Sequence, residues 1–144
     1  MALLSPQLLV PLAVAGAAAA AHTAPLLTSV PQLRPIWPGL TGIGKPAHLA
    51  LTFDDGPDEA STPLFLDLLA HLDVRATFFL LGEMVERFPD LPRRMVDEGH
   101  ELAVHSWDHR SHLLRAPGRF TVNQLERTAD LVEGVSGTRP TLFR

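Results

Sequence analysis

Two acidic side chains lie side by side where an apolar run stops, in the segment Thr52-Phe53-Asp54-Asp55-Gly56-Pro57. Neighbouring side chains of an extended strand point to opposite faces, so Asp54 and Asp55 can converge on one site only where the Gly-Pro turn breaks the pleat. Two unpaired carboxylates at that point would repel each other and lose hydration, a cost that a bound cation removes. Taken alone, such a pair of aspartates is more often a solvated turn than a site, because Asp-Gly-Pro is common turn chemistry.

A second polar cluster, His105-Ser106-Trp107-Asp108-His109, also follows an apolar run. Two imidazoles at this spacing meet on one face if the segment forms a helical turn. Together with one carboxylate they make a two-histidine, one-carboxylate metal site, which leaves coordination positions open for water and substrate. The chain contains no cysteine, so any bound metal must use histidine and carboxylate ligands. Either histidine alone is equally well explained as a surface or hydrogen-bonded residue.

Both clusters are predicted to follow strands of one parallel sheet. After Pro46 short apolar runs alternate with helical patterns, which is typical of β/α units. The predicted strands are His48 to Phe53, Arg75 to Leu81 and Glu101 to Val104, with Thr141 to Arg144 as the opening of a fourth. Active sites of such sheets and barrels lie at the carboxyl ends of the strands. The two clusters are therefore expected at the same edge.

Helical patterns separate the predicted strands. The first helix is capped by Thr62 and has apolar positions at Leu64, Phe65, Leu68, Leu69 and Leu72. A second helical segment runs from Met84 to Val96 and is predicted to kink at Pro89 and Pro92. A third starts at Thr121 with the capping box Thr121-x-x-Gln124.

The amino-terminal part of the chain has a different composition. No charged residue precedes Arg34, and Ala2 to Ala21 is almost wholly apolar, near the length of about 20 residues that spans a bilayer. Residues 1–24 are therefore predicted to be a signal-like or membrane-anchor segment, with membrane association through residues 2–21. An apolar helix packed on a soluble domain is the alternative, because Pro6 and Pro11 interrupt a spanning helix. Residues 25–46 are predicted to be a Pro/Gly-rich linker, and the protein is expected outside the cell or anchored facing the exterior.

Composition narrows the class of partner. A chain of 144 residues with 46% hydrophobic residues fits one packed domain, here residues 47–144. The net charge of -4 provides no basic stripe for a phosphate backbone, so no nucleic acid partner is expected. An uncharged or weakly charged substrate fits better.

The two clusters together resemble the motifs of a known family. The segment Thr52 to Pro57 looks like the first motif of the polysaccharide deacetylases, the NodB homology domain of carbohydrate esterase family 4, and His105-Ser106-x-x-His109 resembles the second. Ala76-Thr77-Phe78-Phe79 followed by Gly82 is similar to the strand between them. The resemblance covers residues 47–144. It implies an α/β fold, an incomplete distorted (β/α) barrel of which this chain supplies the front half only, preceded by the apolar amino-terminal segment.

The resemblance also implies roles for single residues. Asp55, His105 and His109 would be the metal ligands and Asp54 the general base, with Zn²⁺ as cofactor or another divalent metal in its place. Arg144 would begin the third motif, which contacts substrate, the oxyanion or the base. The implied reaction is hydrolysis of N-acetyl groups on a peptidoglycan- or chitin-like polysaccharide, and ester hydrolysis by the same groups is also implied.

The family pattern is not complete in this sequence. The downstream aspartate motif and the later histidine of the family have no counterpart, so the chain is expected to be a truncated form with little or no activity. A non-catalytic remnant that binds carbohydrate or metal is the alternative from another functional class. A hydrolase that uses two carboxylates without metal is a third reading.

Overall fold

The computed structural model of the chain describes residues 6–23, 27, 30–36, 47–109 and 118–144. The chain divides into two compact units, Met1–His48 and Leu49–Arg144. The first contains helix α1, Pro6–Thr23, with Pro11 inside it, and a short 3-10 helix, Pro31–Ile36. Within the residues described, no helix combines the length and apolar character needed to cross a membrane. The signal or anchor segment and the linker stay predictions.

The second unit is an α/β fold around a three-stranded parallel sheet in the order β1-β2-β3. The strands are β1 Thr52–Gly56, β2 Thr77–Leu80 and β3 Glu101–Val104. The helices are α2 Thr62–Leu72, α3 Gly82–Arg87, α4 Asp90–Asp97 and α5 Gly118–Ser136. Phe143 pairs in parallel with Val104 through a single bridge, at the predicted position of a fourth strand. The predicted α/β class with a parallel sheet is confirmed.

The core lies between the sheet and its helices. Strands β2 and β3 each bury their last three residues, as expected for a parallel sheet covered on both faces. Each fully buried Leu, Val or Met contributes about 1.5–3 kcal/mol relative to exposure. The buried cluster consists of Leu66, Leu69, Ala76, Phe78, Leu80, Val85, Met95, Leu102 and Val132. The core therefore holds the ends of the strands in a fixed register.

Helix α2 buries a different face from the predicted one. Leu66 and Leu69 lie in the core, whereas Leu64, Leu68 and Leu72 are exposed, as is Phe65. Of the five apolar positions named from helical spacing, only Leu69 is buried. The reason is that α2 carries leucines on both faces, so helical spacing does not select the face that packs on the sheet.

Several element boundaries also differ from prediction. Strand β2 covers Thr77–Leu80 within the predicted Arg75 to Leu81, and the N-cap of α2 is Ser61 where Thr62 was predicted, because Thr62 is already the first helical residue. Strand β1 begins at Thr52 and extends through Gly56, so it includes both aspartates instead of stopping before them. The predicted helix from Met84 to Val96 is two helices, because Pro89 cannot continue the hydrogen-bond ladder and instead precedes the first residue of α4. Thr121 lies inside α5, so the predicted capping box there is wrong.

Candidate metal centre

The end of β1 presents the two aspartates through an irregularity in the strand. The pairing with β2 shifts between Phe53 and Gly56, and Asp55 has φ 67° in the left-handed region. The alternation of side chains therefore breaks at Asp55 itself and not at the following Gly-Pro turn, which corrects the sequence interpretation. Leu81 donates its N–H to the Gly56 carbonyl at 2.9 Å and holds the end of β1 beside the end of β2.

The turn after β1 uses Asp58 as a structural group. Its Oδ1 accepts hydrogen bonds from the Ser61 N–H at 2.8 Å and from the Ser61 hydroxyl at 2.7 Å. These bonds from Ser61 lower the pKa of Asp58 because they stabilise the carboxylate. Asp58 thus shapes the entry to α2, as expected for a turn residue.

The second cluster forms a bent loop after β3 instead of the helical turn that the spacing had indicated. Ser106 and His109 both have left-handed backbone angles, φ 75° and φ 57°. These angles reverse the chain, so the His105 and His109 ring centroids lie 5.2 Å apart. At the start of the loop, His105 donates its N–H to the Leu80 carbonyl at 2.8 Å.

Asp55, His105 and His109 converge on one point at the carboxyl edge of the sheet. The distance from Asp55 Oδ1 is 3.4 Å to His105 Nε2 and 3.7 Å to His109 Nε2. One ligand atom from each residue lies within 4.8 Å of the others, and in the described part of the chain no other such group of three occurs. Ligands about 2.1 Å from a tetrahedral zinc ion lie about 3.4 Å from one another. The three side chains therefore fit a divalent metal.

The site is open on one side and anchored on the other. The side chain of Asp55 is 62% exposed and that of His109 59%, whereas that of His105 is 14% exposed. His105 Nδ1 lies 2.7 Å from the Arg144 carbonyl oxygen. Because a carbonyl only accepts, this contact assigns the proton to Nδ1 and leaves the Nε2 lone pair for a metal.

Arg144 lies beside Asp54 and links the two clusters. Its Nη2 donates to Asp54 Oδ1 and, at 2.9 Å, to the Thr52 hydroxyl. The guanidinium carbon lies 4.3 Å from the ring centroid of Phe79. The Arg144 N–H donates to the Val104 carbonyl at 3.1 Å. Of the contacts implied for Arg144, the structure contains the one with the proposed base.

The first residues of α3 donate hydrogen bonds to the loop that carries His105 and His109. Gly82 donates its N–H to the Ser106 carbonyl at 3.2 Å, and Glu83 donates to the Trp107 carbonyl at 2.9 Å. The Trp107 ring packs so closely on Gly82 that a Cβ there would lie 2.2 Å from ring carbon Cε3. Arg127 covers the same ring, 3.3 Å from its centroid. Trp107 is thus a packing residue of the loop.

Sequence reasoning did not find every residue that supports this loop. The Thr128 hydroxyl lies 3.1 Å from the Ser106 carbonyl oxygen and is fully buried. A single threonine inside a helix carries no signal for such a contact, because the partner is 22 residues away in the chain. In the sequence, Trp107 and Gly82 stood out only as members of the family motifs, and their contact with each other could not be predicted. His112, which follows His109 by three residues and could compete with it as a ligand, lies outside the described residues.

Comparison with known proteins identifies the family. The family model for polysaccharide deacetylases matches residues 42–144. The chain is 45% identical over 96 residues to the peptidoglycan-N-acetylmuramic acid deacetylase PdaC of Bacillus subtilis, 67% of this chain and 20% of that protein. It is 41% identical over 98 residues to a peptidoglycan-N-acetylglucosamine deacetylase of Bacillus cereus, 68% of this chain and 35% of that protein. A chitooligosaccharide deacetylase of Sinorhizobium fredii is 46% identical over 84 residues, 58% of this chain and 38% of that protein.

The solved structures give the same result for the fold. The structure of PdaC from Bacillus subtilis matches with a TM-score of 0.64 and 45% identity, covering 66% of this chain and 46% of that one. The chain thus corresponds to part of a (β/α)-barrel deacetylase and spans less than half the length of each of these relatives. The chain belongs to the polysaccharide deacetylase family, the carbohydrate esterases of family 4 that share the NodB homology domain.

Proposed function

We propose that this chain carries the metal-binding and base-bearing part of a zinc-dependent deacetylase that hydrolyses N-acetyl groups of an amino-sugar polymer. The observation that carries the proposal is the convergence of Asp55, His105 and His109 next to the Asp54–Arg144 pair. Relatives named for peptidoglycan and chitooligosaccharides support a polymer of that class as substrate.

The donor set supports a catalytic metal in preference to a purely structural one. Two imidazoles and one carboxylate leave part of the coordination sphere open, and the exposure of Asp55 and His109 leaves that side accessible. When bound there, zinc would lower the pKa of a water molecule towards about 7 and polarise the acetyl carbonyl. Asp55, His105 and His109 would hold the ion at the edge where the substrate arrives.

Asp54 would take the proton from the attacking water. Arg144 contacts Oδ1 of Asp54, so Oδ2 is the oxygen that would accept the proton. The charge-assisted bond from Arg144, itself in contact with the Thr52 hydroxyl, keeps the carboxylate in one orientation. A module that only bound metal or carbohydrate would have no need of this second carboxylate, so the pair favours the enzyme over the non-catalytic remnant.

The experiment that tests the proposal measures zinc-dependent acetate release from N-acetylated chito-oligosaccharides and from peptidoglycan fragments. It compares this chain with a version extended to the length of its solved relatives. We expect turnover from the extended version and little or none from the 144-residue chain.

Asp54→Asn in the extended version tests the role of the base. Removal of a general base costs about 10²- to 10⁴-fold in kcat. We expect a loss of that size, with zinc affinity within about threefold of the parent because Asp54 is not a ligand. Turnover that survives complete removal of metal, or that is unaffected by Asp54→Asn, would contradict the assignment.

We also propose that residues 1–24 direct export or anchoring, with residues 25–46 as the linker to the domain. The support is the absence of charge before Arg34 and a polysaccharide substrate that would lie outside the cell membrane. Fractionation of cells that express the chain, with and without residues 2–21, tests this. Retention of both forms in the cytoplasm would contradict it.

A further inference from the structure

We infer that Thr128, in the middle of α5, is a positioning residue for the metal centre. Its hydroxyl holds the Ser106 peptide in the conformation that turns His105 and His109 towards Asp55. The inference rests on the proposed function, because it concerns the same site. Thr128 contacts none of the three ligand side chains and acts through the main chain between them.

The conformation that needs support is that of Ser106. Its φ of 75° lies in a region that L-residues other than Asn, Asp and Gly rarely occupy. This angle turns the chain directly after His105 and starts the reversal that brings His109 back beside it. An extended Ser106 would carry His109 away from Asp55, so the geometry of the metal centre depends on this peptide.

Two donors from different helices meet on the Ser106 carbonyl. The Gly82 N–H of α3 lies 3.2 Å from the oxygen, and the Thr128 hydroxyl of α5 lies 3.1 Å from it. A carbonyl oxygen has two lone pairs, so it can accept from both donors at once. The Thr128 hydroxyl also lies 3.0 Å from the Gln124 carbonyl oxygen, so both carbonyl oxygens are within hydrogen-bond distance of its single O–H.

The packing around Thr128 makes this contact specific. Thr128 is fully buried and Ser106 is 5% exposed, so water does not compete for the carbonyl. A Cβ on Gly82 would lie 2.8 Å from Thr128 Oγ1, which shows how closely α3, α5 and the loop meet. Removal of the hydroxyl would leave the Gly82 N–H as the remaining donor to the Ser106 carbonyl among the described residues.

The test uses the full chain with four substitutions on α5. Thr128→Val replaces the hydroxyl by a methyl group of the same shape, and Thr128→Ala removes it without adding bulk. Thr128→Ser keeps the hydroxyl and is the rescue variant. Ser136→Ala is the matched control, because Ser136 donates to the Val132 carbonyl of the same helix at 2.7 Å, four residues back.

Two measurements are made on each variant. In metal-free protein, hydrogen exchange of the Gly82 and Glu83 amides reports how often the loop leaves α3. Titration calorimetry with zinc reports the affinity of the centre. Outer partners that touch a ligand directly change metal affinity by about 10- to 100-fold. Thr128 is one step further away, so we expect affinity about 3- to 10-fold weaker and exchange faster by a similar factor in Thr128→Val and Thr128→Ala.

The expected result also requires Thr128→Ser and Ser136→Ala to stay within about twofold of the parent chain, well below the effect of an outer partner. Parent-like exchange in both Val and Ala variants, an equal loss in Thr128→Ser, or failure of both Val and Ala variants to fold would overturn the inference. The exchange readout needs no metal. If the parent chain bound no zinc while the exchange difference persisted, the proposed function would fail, whereas the role of Thr128 in holding the Ser106 peptide would stand.

Discussion

Strand β3 has a histidine at each end, and the two histidines have opposite environments. His105 follows the strand, with Nδ1 on the Arg144 carbonyl and Nε2 directed to Asp55. His100 precedes the strand, and its side chain is 2% exposed. The same residue type on the same strand is thus presented for binding at the carboxyl end and enclosed in the fold at the amino end.

The buried environment favours the neutral form of His100. Its Nδ1 accepts a hydrogen bond from the Ala76 N–H at 3.2 Å, and its ring packs edge-on to Phe78 with centroids 5.3 Å apart. Nε2 lies 4.0 Å from the Glu98 carboxylate, too far for a hydrogen bond. Burial lowers the pKa of His100, an effect that Glu98 opposes and the positive charge of Arg75 reinforces. The ring therefore links the starts of β2 and β3. It is not among the residues that are grouped to hold a metal ion.

The largest expected effect is at the carboxyl end. His105→Ala removes a proposed ligand, so we expect zinc affinity to fall by more than about 100-fold, beyond the range measured for outer partners. Titration calorimetry on the parent chain, His105→Ala and His100→Ala measures it. A comparable loss of affinity in His100→Ala would erase the distinction between the two ends.

The next effect is at the amino end and concerns stability. His100→Ala leaves the buried Ala76 N–H without its acceptor and opens a cavity beside Phe78, so we expect the free energy of unfolding to fall by about 2 kcal/mol. Urea denaturation of the metal-free chain measures it. His71→Ala is the control, because His71 is exposed in the last turn of α2 and should change stability by less than about 0.5 kcal/mol. Equal effects at the two positions would show that His100 has no structural role.

The smallest effect is a dependence of stability on pH. The pKa of His100 is lower in the folded protein than its ordinary value of 6.5, so the unfolded chain binds the proton more readily. The contribution of His100 is therefore fully present above about pH 6.5 and is lost as the pH falls below it towards the folded pKa. Denaturation midpoints of the metal-free parent chain and of His100→Gln, compared between pH 7.5 and 5.5, isolate the contribution of His100 to the pH dependence of stability. Parallel pH profiles for the two proteins would refute it.

Part of the fold was accessible from local patterns. The strand Glu101–Val104 was predicted with its observed bounds, because a short apolar run between Gly99 and His105 leaves little choice of where the strand begins and ends. The face of α2 was not predictable, since the choice between Leu66 and Leu68 depends on which side meets the sheet. Likewise, the sequence showed two clusters, which contain Asp54, Asp55, His105 and His109. It did not show the left-handed backbone conformation of Asp55, which separates the roles of the two aspartates.

The amino-acid sequence alone determined the α/β class, the family and the residue types of the metal centre, because strand and helix periods and motif spacing are local properties of the chain. Only the tertiary structure decided that Arg144 contacts Asp54, that Thr128 contacts Ser106, and that His105 faces Asp55 while His100 is buried. These contacts join residues far apart in the chain. They arise only when parallel pairing aligns the carboxyl ends of the strands and the core sets the distances between them.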